Sequence, residues 1–398
     1  MNETKVDEIL TRGVENVYPS KEELKKILSS DKKLRIYTGI DPTGKLHIGH
    51  SIVLKKLRKF QDLGHEVIVL IGDFTARIGD PTDKLAARKK LSKEDVEKNA
   101  ADYKKLIAKI LDLEKANVRF LHNEKWSNEL SPEDMLELAS YFTVSQLLER
   151  DMFQERIKSG KQVYLHEFLY PLFQAYDSVT MDVDMELGGN DQTFNMLAGR
   201  TLMKKMKNKE KFVLTTKLLT DSTGKKMGKT EGNVVNLDEA PENMFGQIMS
   251  WSDSLIIIGF ETCTDLPMEK IKQMEADMKA EKVNPRDLKL ELASEIVKIY
   301  HGEKEAETAK EYFIKTFSKK EIPENILEVK VDTDSISLLD FIILSGNATS
   351  KGDARRKIEQ GGVEIDGKKI ADSVMVLDKS FDGKVMKVGK IHFVKVKF

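Results

Sequence analysis

The sequence predicts an α/β protein in which a doubly wound, parallel-sheet (Rossmann-like) domain is followed by an α-helical domain and a small α+β domain. Strand-like runs at residues 34–40, 66–71 and 118–121 alternate with helical patterns, which is typical of a parallel sheet. The pattern is helical from residue 240 to about 317, and a short basic module of mixed pattern closes the chain.

The first third of the chain supplies most of the predicted sheet. Residues 1–30 are expected to be helical, with Ser20 and Glu23 in a capping-box pattern. Apolar residues at helical spacing predict a helix from His50 to Gly64, and Ser92 opens a long amphipathic helix before the strand at 118–121. In such a sheet, ligands bind at the carboxyl ends of the strands.

The middle of the chain alternates helices with glycine turns. A helix is predicted from Ser131 toward Leu148, a mobile connection at the polar stretch 154–162, and a second helix at 164–179. In that second helix Tyr170, Gln174 and Asp177 are spaced i, i+4 and i+7, so they share one face. Then follow a glycine turn at 187–192, a strand at 212–219 and a glycine-spaced loop with three lysines at 221–230.

The predicted domains are residues 1–220, residues 221–320 with the lysine loop and the helices, a linker at 321–335, and a module at 336–398. Pro323 and scattered acids without periodicity favour the linker. The module has 12 Lys/Arg against 8 Asp/Glu, and a hairpin is expected at 363–367. A run of charges usually marks a solvated helix face. Here the basic cluster lies at a helix start and comprises Lys351, Arg355, Arg356 and Lys357.

Composition limits the class of protein. A chain of 398 residues with 40% hydrophobic content can bury a full core. The net charge of −1 gives no overall nucleic-acid signature, so any RNA contact must come from a local patch. The single cysteine, Cys263, excludes an intramolecular disulfide framework, and neither a signal peptide nor a membrane span is visible. We therefore expect a cytoplasmic protein without membrane association.

The segment from Tyr37 to His50 is predicted to hold a nucleotide phosphate. A strand, a Gly/Pro turn and a helix start follow one another, which presents backbone N–H groups and the positive end of a helix to an anion. Gly39, Gly44 and Gly49 allow close approach, and His47 and His50 face the phosphates. The pattern is neither a Walker loop nor a dinucleotide fingerprint. A zinc pair would need further ligands, which the nearby sequence does not provide.

His47-Ile-Gly-His50 resembles the HIGH signature of class I aminoacyl-tRNA synthetases, and Lys226-Met-Gly-Lys-Thr230 resembles their second signature. The order and separation of the two motifs, together with residues between them, make the chain similar to bacterial tyrosyl-tRNA synthetases over nearly its whole length. Two departures from that pattern are a Thr43–His47 turn that is one residue shorter and a Gly and Thr where the second signature usually has Ser.

The resemblance implies a site and a substrate set. ATP with Mg²⁺ and L-tyrosine are the expected substrates, with no tightly bound cofactor and no metal ligands from the protein. The residues expected in catalysis are Thr43, His47, His50, Lys84, Arg88, Lys226, Lys229 and Thr230. Those expected to bind tyrosine are Tyr37, Asp80, Tyr170, Gln174 and Asp177. Those expected to bind ATP or the adenylate are Gly39, Asp41, Gly49, Asp191, Gln192 and Lys229.

The resemblance also implies macromolecular partners. The terminal module resembles an S-four-type RNA-binding domain, so tRNA(Tyr) is expected to contact its basic cluster, and the family implies a homodimer. A tryptophanyl-tRNA synthetase would share both signatures, but it does not need a Tyr/Asp pair deep in the amino-acid pocket. A non-catalytic RNA-binding role could use the same scaffold, although intact signatures argue against it.

Overall fold

The computed structural model describes residues 3–81, 91–220, 234–318, 326–389 and 392–398. The chain forms two compact units. The first comprises Met1–Glu239 with Gln247–Tyr300, and the second comprises Ala240–Gly246 with His301–Phe398. Within the described ranges, no helix has both the length and the apolar character that crossing a bilayer requires.

A six-stranded sheet organises the first unit. Its strands are β1 (Val14–Tyr18), β2 (Arg35–Ile40), β3 (Glu66–Ile71), β4 (Val118–His122), β5 (Met185–Gly189) and β6 (Phe212–Thr216). They lie in the order β1-β6-β5-β2-β3-β4, and all neighbours are parallel except β1 and β6. The chain winds from β2 toward β4 and then returns to build the other half from β5. The point where the winding reverses lies between β2 and β5, which is where doubly wound sheets bind ligands.

The predicted doubly wound fold is confirmed, with one strand that the sequence reasoning missed. Residues 1–30 were expected to be helical, but β1 forms an edge strand antiparallel to β6. Gly13 lies in the left-handed region with φ of 62°, a conformation that L side chains rarely adopt, and it separates the first helix from this strand. The Ser20 cap is confirmed, since its side chain accepts a hydrogen bond from the Glu23 backbone N–H.

Helices connect the strands of the sheet and follow its last strand. In chain order they are α1 (Glu3–Ile9), α2 (Lys21–Leu28), α3 (Ile48–Asp62), α4 (Thr75–Ile78), α5 (Lys93–Ala100), α6 (Tyr103–Ile107), α7 (Glu124–Ser127), α8 (Pro132–Ser140), α9 (Val144–Leu148), α10 (Asp151–Lys158), α11 (Leu165–Thr180), α12 (Thr193–Lys207), α13 (Pro241–Met249), α14 (Ile256–Cys263), α15 (Met268–Lys279) and α16 (Pro285–His301).

Two predicted helices and one predicted connection differ from the structure. The long helix after Ser92 is divided into α5 and α6, and the helix after Ser131 ends at Ser140. Thr143 and Gln146 then form a new capping box that starts α9. The stretch 154–162, predicted to be a mobile connection, lies largely in α10, because its residues are good helix formers and Phe153 is fully buried.

The helices between residues 247 and 300 belong to the first unit rather than to a separate domain. Arg12 ties them to the N-terminal part of the chain, because its guanidinium donates to the backbone carbonyls of Glu261, Thr264 and Leu266 at 2.9, 2.8 and 2.6 Å. The two units therefore divide the chain differently from the predicted domain boundaries.

The second unit contains a small sheet with its own core. Its elements are α17 (Glu303–Phe313), β7 (Leu327–Lys330), β8 (Ser335–Ser337), α18 (Leu338–Leu344), α19 (Lys351–Glu359), β9 (Val363–Ile365), β10 (Lys368–Lys369), β11 (Val376–Asp378), β12 (Val385–Val388) and β13 (His392–Lys397). The strand order is β10-β9-β12-β13-β7, with β8 and β11 as a separate pair. Strand β7 lies inside the predicted linker 321–335 but pairs in parallel with β13, so it belongs to this sheet.

The predicted hairpin at 363–367 is confirmed as β9 and β10. Asp366 and Gly367 form its turn, with φ of 47° and 77°. Such a two-residue turn needs positive φ at both positions, which explains the Asp-Gly pair. The core of this sheet and its helices consists of buried apolar side chains from residues 329 to 396, among them Leu338, Phe341 and Ile358.

Candidate active site

Many of the predicted site residues that the structure describes lie along the carboxyl edge of the six-stranded sheet. Thr43, His47 and His50 follow β2, Asp80 follows β3, and Asp191 and Gln192 follow β5. Gly39 is exposed although β2 is a central strand, and a Cβ added there would meet no atom within 4 Å. An open cleft therefore lies beside the point where the sheet reverses its winding.

The two signature histidines form the N-terminus of α3. His47 is the N-cap, and its Nδ1 accepts from the Gly49 backbone N–H at 3.1 Å. The Nδ1 of His50 accepts from the His47 backbone N–H at 3.2 Å, and the two ring centroids are 3.9 Å apart. An imidazole that accepts through Nδ1 carries its proton on Nε2 when neutral. Each ring can therefore donate a hydrogen bond through Nε2 at a helix start that favours anions.

Backbone pairing places the chain after the second signature beside the first. The Ile48 N–H donates to the Val235 carbonyl at 2.9 Å, and the Leu237 N–H donates to the Leu46 carbonyl at 2.9 Å. The predicted phosphate-binding residues Lys226, Lys229 and Thr230 precede this segment and lie outside the described residues, as do Lys84 and Arg88.

The turn before His47 is held by two side chains that the sequence reasoning did not identify. Asn99 donates through Nδ2 to the Pro42 carbonyl at 2.8 Å, and the Tyr103 hydroxyl donates to the Gly44 carbonyl at 2.5 Å. Both residues come from the α5–α6 segment. The shortened Thr43–His47 turn is thus fixed from outside the motif, a contact between distant segments that no local pattern reveals.

Tyr37 and Asp177 are both buried, as a pocket that reads a substrate hydroxyl requires. Tyr37 is fully buried in β2, and its hydroxyl lies 3.0 Å from the Ser178 Oγ. Asp177 accepts from Trp126 Nε1 at 2.7 Å and from Asn123 Nδ2 at 3.2 Å. Burial raises the pKa of Asp177 well above its ordinary value, although these two hydrogen bonds favour the charged form.

Asn123 and Trp126 were not predicted as site residues from the sequence, although the position of Asn123 could have identified it. Asn123 follows the third strand, at the same carboxyl edge as the other site residues. It is fully paired in the structure, since its Oδ1 accepts from the Phe74 N–H at 2.9 Å and its Nδ2 also contacts Thr75 Oγ1 at 3.1 Å. The strand-end argument applied to β2 and β3 would have identified it. Trp126 had no such marker.

The three residues expected to hold the substrate ammonium are near the cleft but bond to other groups. The Tyr170 hydroxyl donates to Asp41 Oδ2 at 2.9 Å, and Gln174 Nε2 donates to Glu186 Oε1 at 2.9 Å. Asp80 accepts from Gln192 Nε2 at 2.7 Å. Burial raises the pKa of Tyr170, and the negative charges of Asp41 and Asp80 raise it further, so both carboxylates lie near its hydroxyl.

Asp41 has the clearest electrostatic perturbation in the cleft. It accepts from Thr75 Oγ1 at 2.7 Å as well as from Tyr170, and a Cβ at Gly72 would lie 1.9 Å from its Oδ1. Gly72 is therefore required for this contact. Burial raises the pKa of Asp41 to about 7, against the two hydrogen bonds and with a smaller contribution from Asp80.

This shift predicts how stability depends on pH. Between the ordinary pKa of 3.8 and about 7, the unfolded chain releases the Asp41 proton while the folded chain keeps it, so this group lowers stability as pH rises. Asp41→Asn removes the effect. We expect the Tm of the variant, relative to the unmodified protein, to rise by about 3 °C between pH 4 and pH 7. A Tm difference that stays constant over this range, measured by calorimetry without ligands, would contradict it.

The predicted tRNA-binding cluster lies on α19 of the second unit. Arg355 and Arg356 are exposed, and Lys351 is exposed but paired with Asp340 Oδ1 at 2.8 Å. Lys357 is half-buried and donates to the Asn347 carbonyl at 2.5 Å. Lys357 therefore holds the α18–α19 connection, which leaves the two arginines and Lys351 as the outward-facing cations of the cluster.

Comparison with known proteins covers nearly the whole chain. A family model described as tRNA synthetases class I (W and Y) matches residues 29–318, and one described as the tyrosine–tRNA ligase SYY-like C-terminal domain matches residues 318–394. The tyrosine–tRNA ligase of Carboxydothermus hydrogenoformans is 44% identical over 98% of this chain and 97% of its own length. That of Thermotoga maritima is 43% identical over 98% and 96%.

Solved structures agree with the sequence comparison. A C-terminally truncated mitochondrial tyrosyl-tRNA synthetase from Aspergillus nidulans, 25% identical, superposes with a TM-score of 0.64 over 79% of this chain and 94% of that one. The enzyme from Archaeoglobus fulgidus complexed with L-tyrosine, 21% identical, shares the fold with a TM-score of 0.61 over 78% of this chain and 100% of that one. The chain therefore belongs to the class I tRNA synthetases of the tryptophan and tyrosine group, and within that group to the tyrosine–tRNA ligases.

Proposed function

We propose that the cleft described above carries both steps of tyrosine–tRNA ligation. As a member of its family, the chain is an ATP-dependent enzyme that acts on tyrosine and tRNA. In the first step a carboxylate oxygen of L-tyrosine attacks the α-phosphorus of ATP, the bond to the β-phosphate breaks, and pyrophosphate leaves. In the second, a ribose hydroxyl of the 3′-terminal adenosine of tRNA(Tyr) attacks the tyrosyl carbonyl and AMP leaves. Neither step needs a nucleophile from the protein.

Phosphate binding falls to the two signatures. The Nε2–H groups of His47 and His50, with Thr43, address the nucleotide from the start of α3. Lys226 and Lys229 supply positive charge that stabilises the departing pyrophosphate, and the Thr230 hydroxyl donates a hydrogen bond to it. Lys84 and Arg88, which follow β3 in the sequence, supply further positive charge. Gly39, Asp41, Gly49, Asp191 and Gln192 line the nucleotide and adenylate position.

Mg²⁺ enters with ATP. Among the described residues, no three His, Cys, Asp or Glu side chains come together in a way that could hold a metal ion. Mg²⁺ usually keeps several waters and binds through substrate phosphates with one or two carboxylates. In this proposal the ion is part of the MgATP substrate and is held through the substrate phosphates.

The assignment of tyrosine as the amino-acid substrate rests on the buried pair of Tyr37 and Asp177. A phenol can accept a hydrogen bond from Tyr37 and donate one to Asp177, whereas phenylalanine has no hydroxyl and loses both hydrogen bonds at a buried site. Tyr170, Gln174 and Asp80 address the ammonium group, with the Gln174 carbonyl oxygen and the acidic side chains as acceptors.

Variants of this pair test the assignment. We expect Tyr37→Phe and Asp177→Asn each to lower kcat/KM for tyrosine in ATP–pyrophosphate exchange by about tenfold or more, because each removes a hydrogen bond to the phenol. The kcat/KM for phenylalanine and the KM for ATP should change little. If both variants kept the unmodified Tyr/Phe ratio of kcat/KM, the hydroxyl would have to be read elsewhere.

We further propose that the protein is a cytoplasmic homodimer. Half of the exposed large apolar side chains in the described residues fall between residues 136 and 165, with Leu136 74% and Leu165 78% exposed. Exposed apolar surface of this kind marks an interaction site. In a two-fold dimer, the same segment of both copies would meet.

Replacing the exposed leucines should separate the subunits. We expect light scattering after size exclusion to give twice the chain mass of 45.3 kDa for the unmodified protein and a single chain mass for Leu136→Glu with Leu165→Glu. Val374→Glu, at a residue 76% exposed in the second unit, is the matched control and should leave the dimer intact. A monomeric unmodified protein at micromolar concentration would contradict the proposal.

A further inference from the structure

A buried ion pair lies directly behind the amino-acid pocket. Lys211, one residue before β6, and Glu186, in β5, are 0% and 1% exposed and are paired through Nζ and Oε2. The Lys211 Nζ also lies 5.7 Å from the centre of the Tyr37 ring. Removing two charges from water costs several kcal/mol for each ion, so a pair with no further role is often replaceable by apolar residues.

The remaining hydrogen bonds of this pair go to residues of the pocket. Lys211 Nζ donates to Ser178 Oγ at 2.8 Å, and Glu186 Oε1 accepts from Gln174 Nε2 at 2.9 Å. Ser178 is in turn 3.0 Å from the Tyr37 hydroxyl. The charges thus reach both ends of the proposed tyrosine site, the phenol side through Ser178 and the ammonium side through Gln174.

The direction of donation in this network follows from its charges. A carboxylate only accepts, so Gln174 must turn its NH₂ group toward Glu186, which leaves its carbonyl oxygen to accept from an ammonium. An ammonium only donates, so Ser178 accepts from Lys211. In the part of the chain that the structure describes, the Ser178 hydroxyl has hydrogen bonds with Lys211 and Tyr37 alone, so its own proton goes to Tyr37. The Tyr37 hydroxyl therefore uses its own proton as a donor, either toward the Glu186 carboxylate or toward a ligand oxygen. Burial raises the pKa of Tyr37, and the Glu186 carboxylate raises it further.

We propose that the Glu186–Lys211 pair is a specificity-determining positioning device, which makes Tyr37 a hydrogen-bond donor to the substrate phenol and Gln174 an acceptor for its ammonium. The proposal rests on the proposed function of the pocket. With Tyr37 donating to the phenol oxygen, the phenol proton points to Asp177. The pair thereby fixes which protein group donates a hydrogen bond to the substrate hydroxyl and which accepts one from it, although neither charge contacts the substrate.

Close packing around the pair allows a second, independent test by substitution. A Cβ added at Gly199 of α12 would lie 2.4 Å from Lys211 Nζ and 2.8 Å from Ser178 Oγ. Gly199→Ala therefore displaces the ammonium from Ser178 without removing a charge or a polar group.

The experiment measures kcat/KM for tyrosine and phenylalanine in ATP–pyrophosphate exchange. Ser178→Ala removes the hydroxyl that connects Lys211 to Tyr37 and leaves both charges in place. Lys211→Met with Glu186→Gln removes both charges together, so no unpaired ion is left. We expect the Tyr/Phe ratio to fall about tenfold in Ser178→Ala and in the double variant, and to fall also in Gly199→Ala, with the KM for ATP unchanged. Lys56→Met is the control. Lys56 is another buried lysine, which donates to the Ile9 and Arg12 carbonyls far from the pocket in sequence, and its loss should lower Tm but not the ratio.

The outcomes separate this inference from the function on which it depends. If Ser178→Ala and the double variant both keep the unmodified ratio while Tyr37→Phe lowers it, the pair is only structural and the inference is wrong. If Tyr37→Phe also keeps the ratio, the assignment of the pocket itself fails. Should the double variant not fold, the neutral and nearly isosteric Ser178→Ala decides alone.

Discussion

A chain that ends at residue 325 is expected to catalyse tyrosine-dependent ATP–pyrophosphate exchange at the full-length rate and to charge tRNA about 100-fold more slowly at physiological salt. The reason is that the cut removes a complete folded module. Its core consists only of residues from 329 to 396, and β7 leaves together with β13, its partner strand. The described residues of the cleft proposed to activate tyrosine belong to the first unit.

A finer variant distinguishes charge from loss of the module. Arg355→Ala with Arg356→Ala should weaken tRNA charging at physiological salt and flatten its dependence on salt, because each lost phosphate contact removes about one released counterion. Lys368→Ala with Lys369→Ala, on the β10 strand of the same module, is the matched control for this double variant. Normal tRNA charging by the truncated chain would show that the module has no such role.

The second large effect is expected in the lysine loop. Lys226→Ala and Lys229→Ala should each slow the exchange reaction about 100-fold or more, because each removes a charge aimed at the departing pyrophosphate. Tyrosine binding should be nearly unchanged, since the amino acid makes no use of that charge. Both residues lie outside the described part of the chain, but the segment that follows them pairs with Leu46 and Ile48 beside the first signature.

Lys225 provides the control for this prediction, because it is a neighbouring lysine of the same loop that falls outside the matched signature. Lys225→Ala should retain most of the activity. Equal losses of activity in all three variants would show that the loop acts through its total charge. A parallel loss of tyrosine affinity in equilibrium dialysis would show that Lys226 and Lys229 do not act specifically in the transition state.

The sequence alone was sufficient for elements with strong local patterns. Strand β3 was predicted because a parallel strand buried on both faces is a continuous apolar run. Strand β2 was predicted from its alternating pattern, and β4 from a short strand-like run that follows a helical pattern. Both signatures were recognised because they occupy a few contiguous residues. The edge strand β1 was missed because an antiparallel edge has no such run, and only its pairing with β6 makes it a strand.

The supporting residues of the site could not be found in the same way. Lys211 and Glu186 are adjacent in space but 25 residues apart in sequence, and a lone lysine before a strand predicts nothing. Trp126 reaches Asp177 across 51 residues. Such contacts are created by the order of strands in the sheet, so they become visible only once the topology is known.

The most direct test of the account is ATP–pyrophosphate exchange by the unmodified full-length chain, measured separately with tyrosine, tryptophan and phenylalanine. The fold, the family and the buried Tyr37–Asp177 pair together predict rapid exchange with tyrosine and none above background with tryptophan, with phenylalanine supporting it only weakly at high concentration. Exchange driven by tryptophan, or no exchange with any of the three amino acids, would contradict the account.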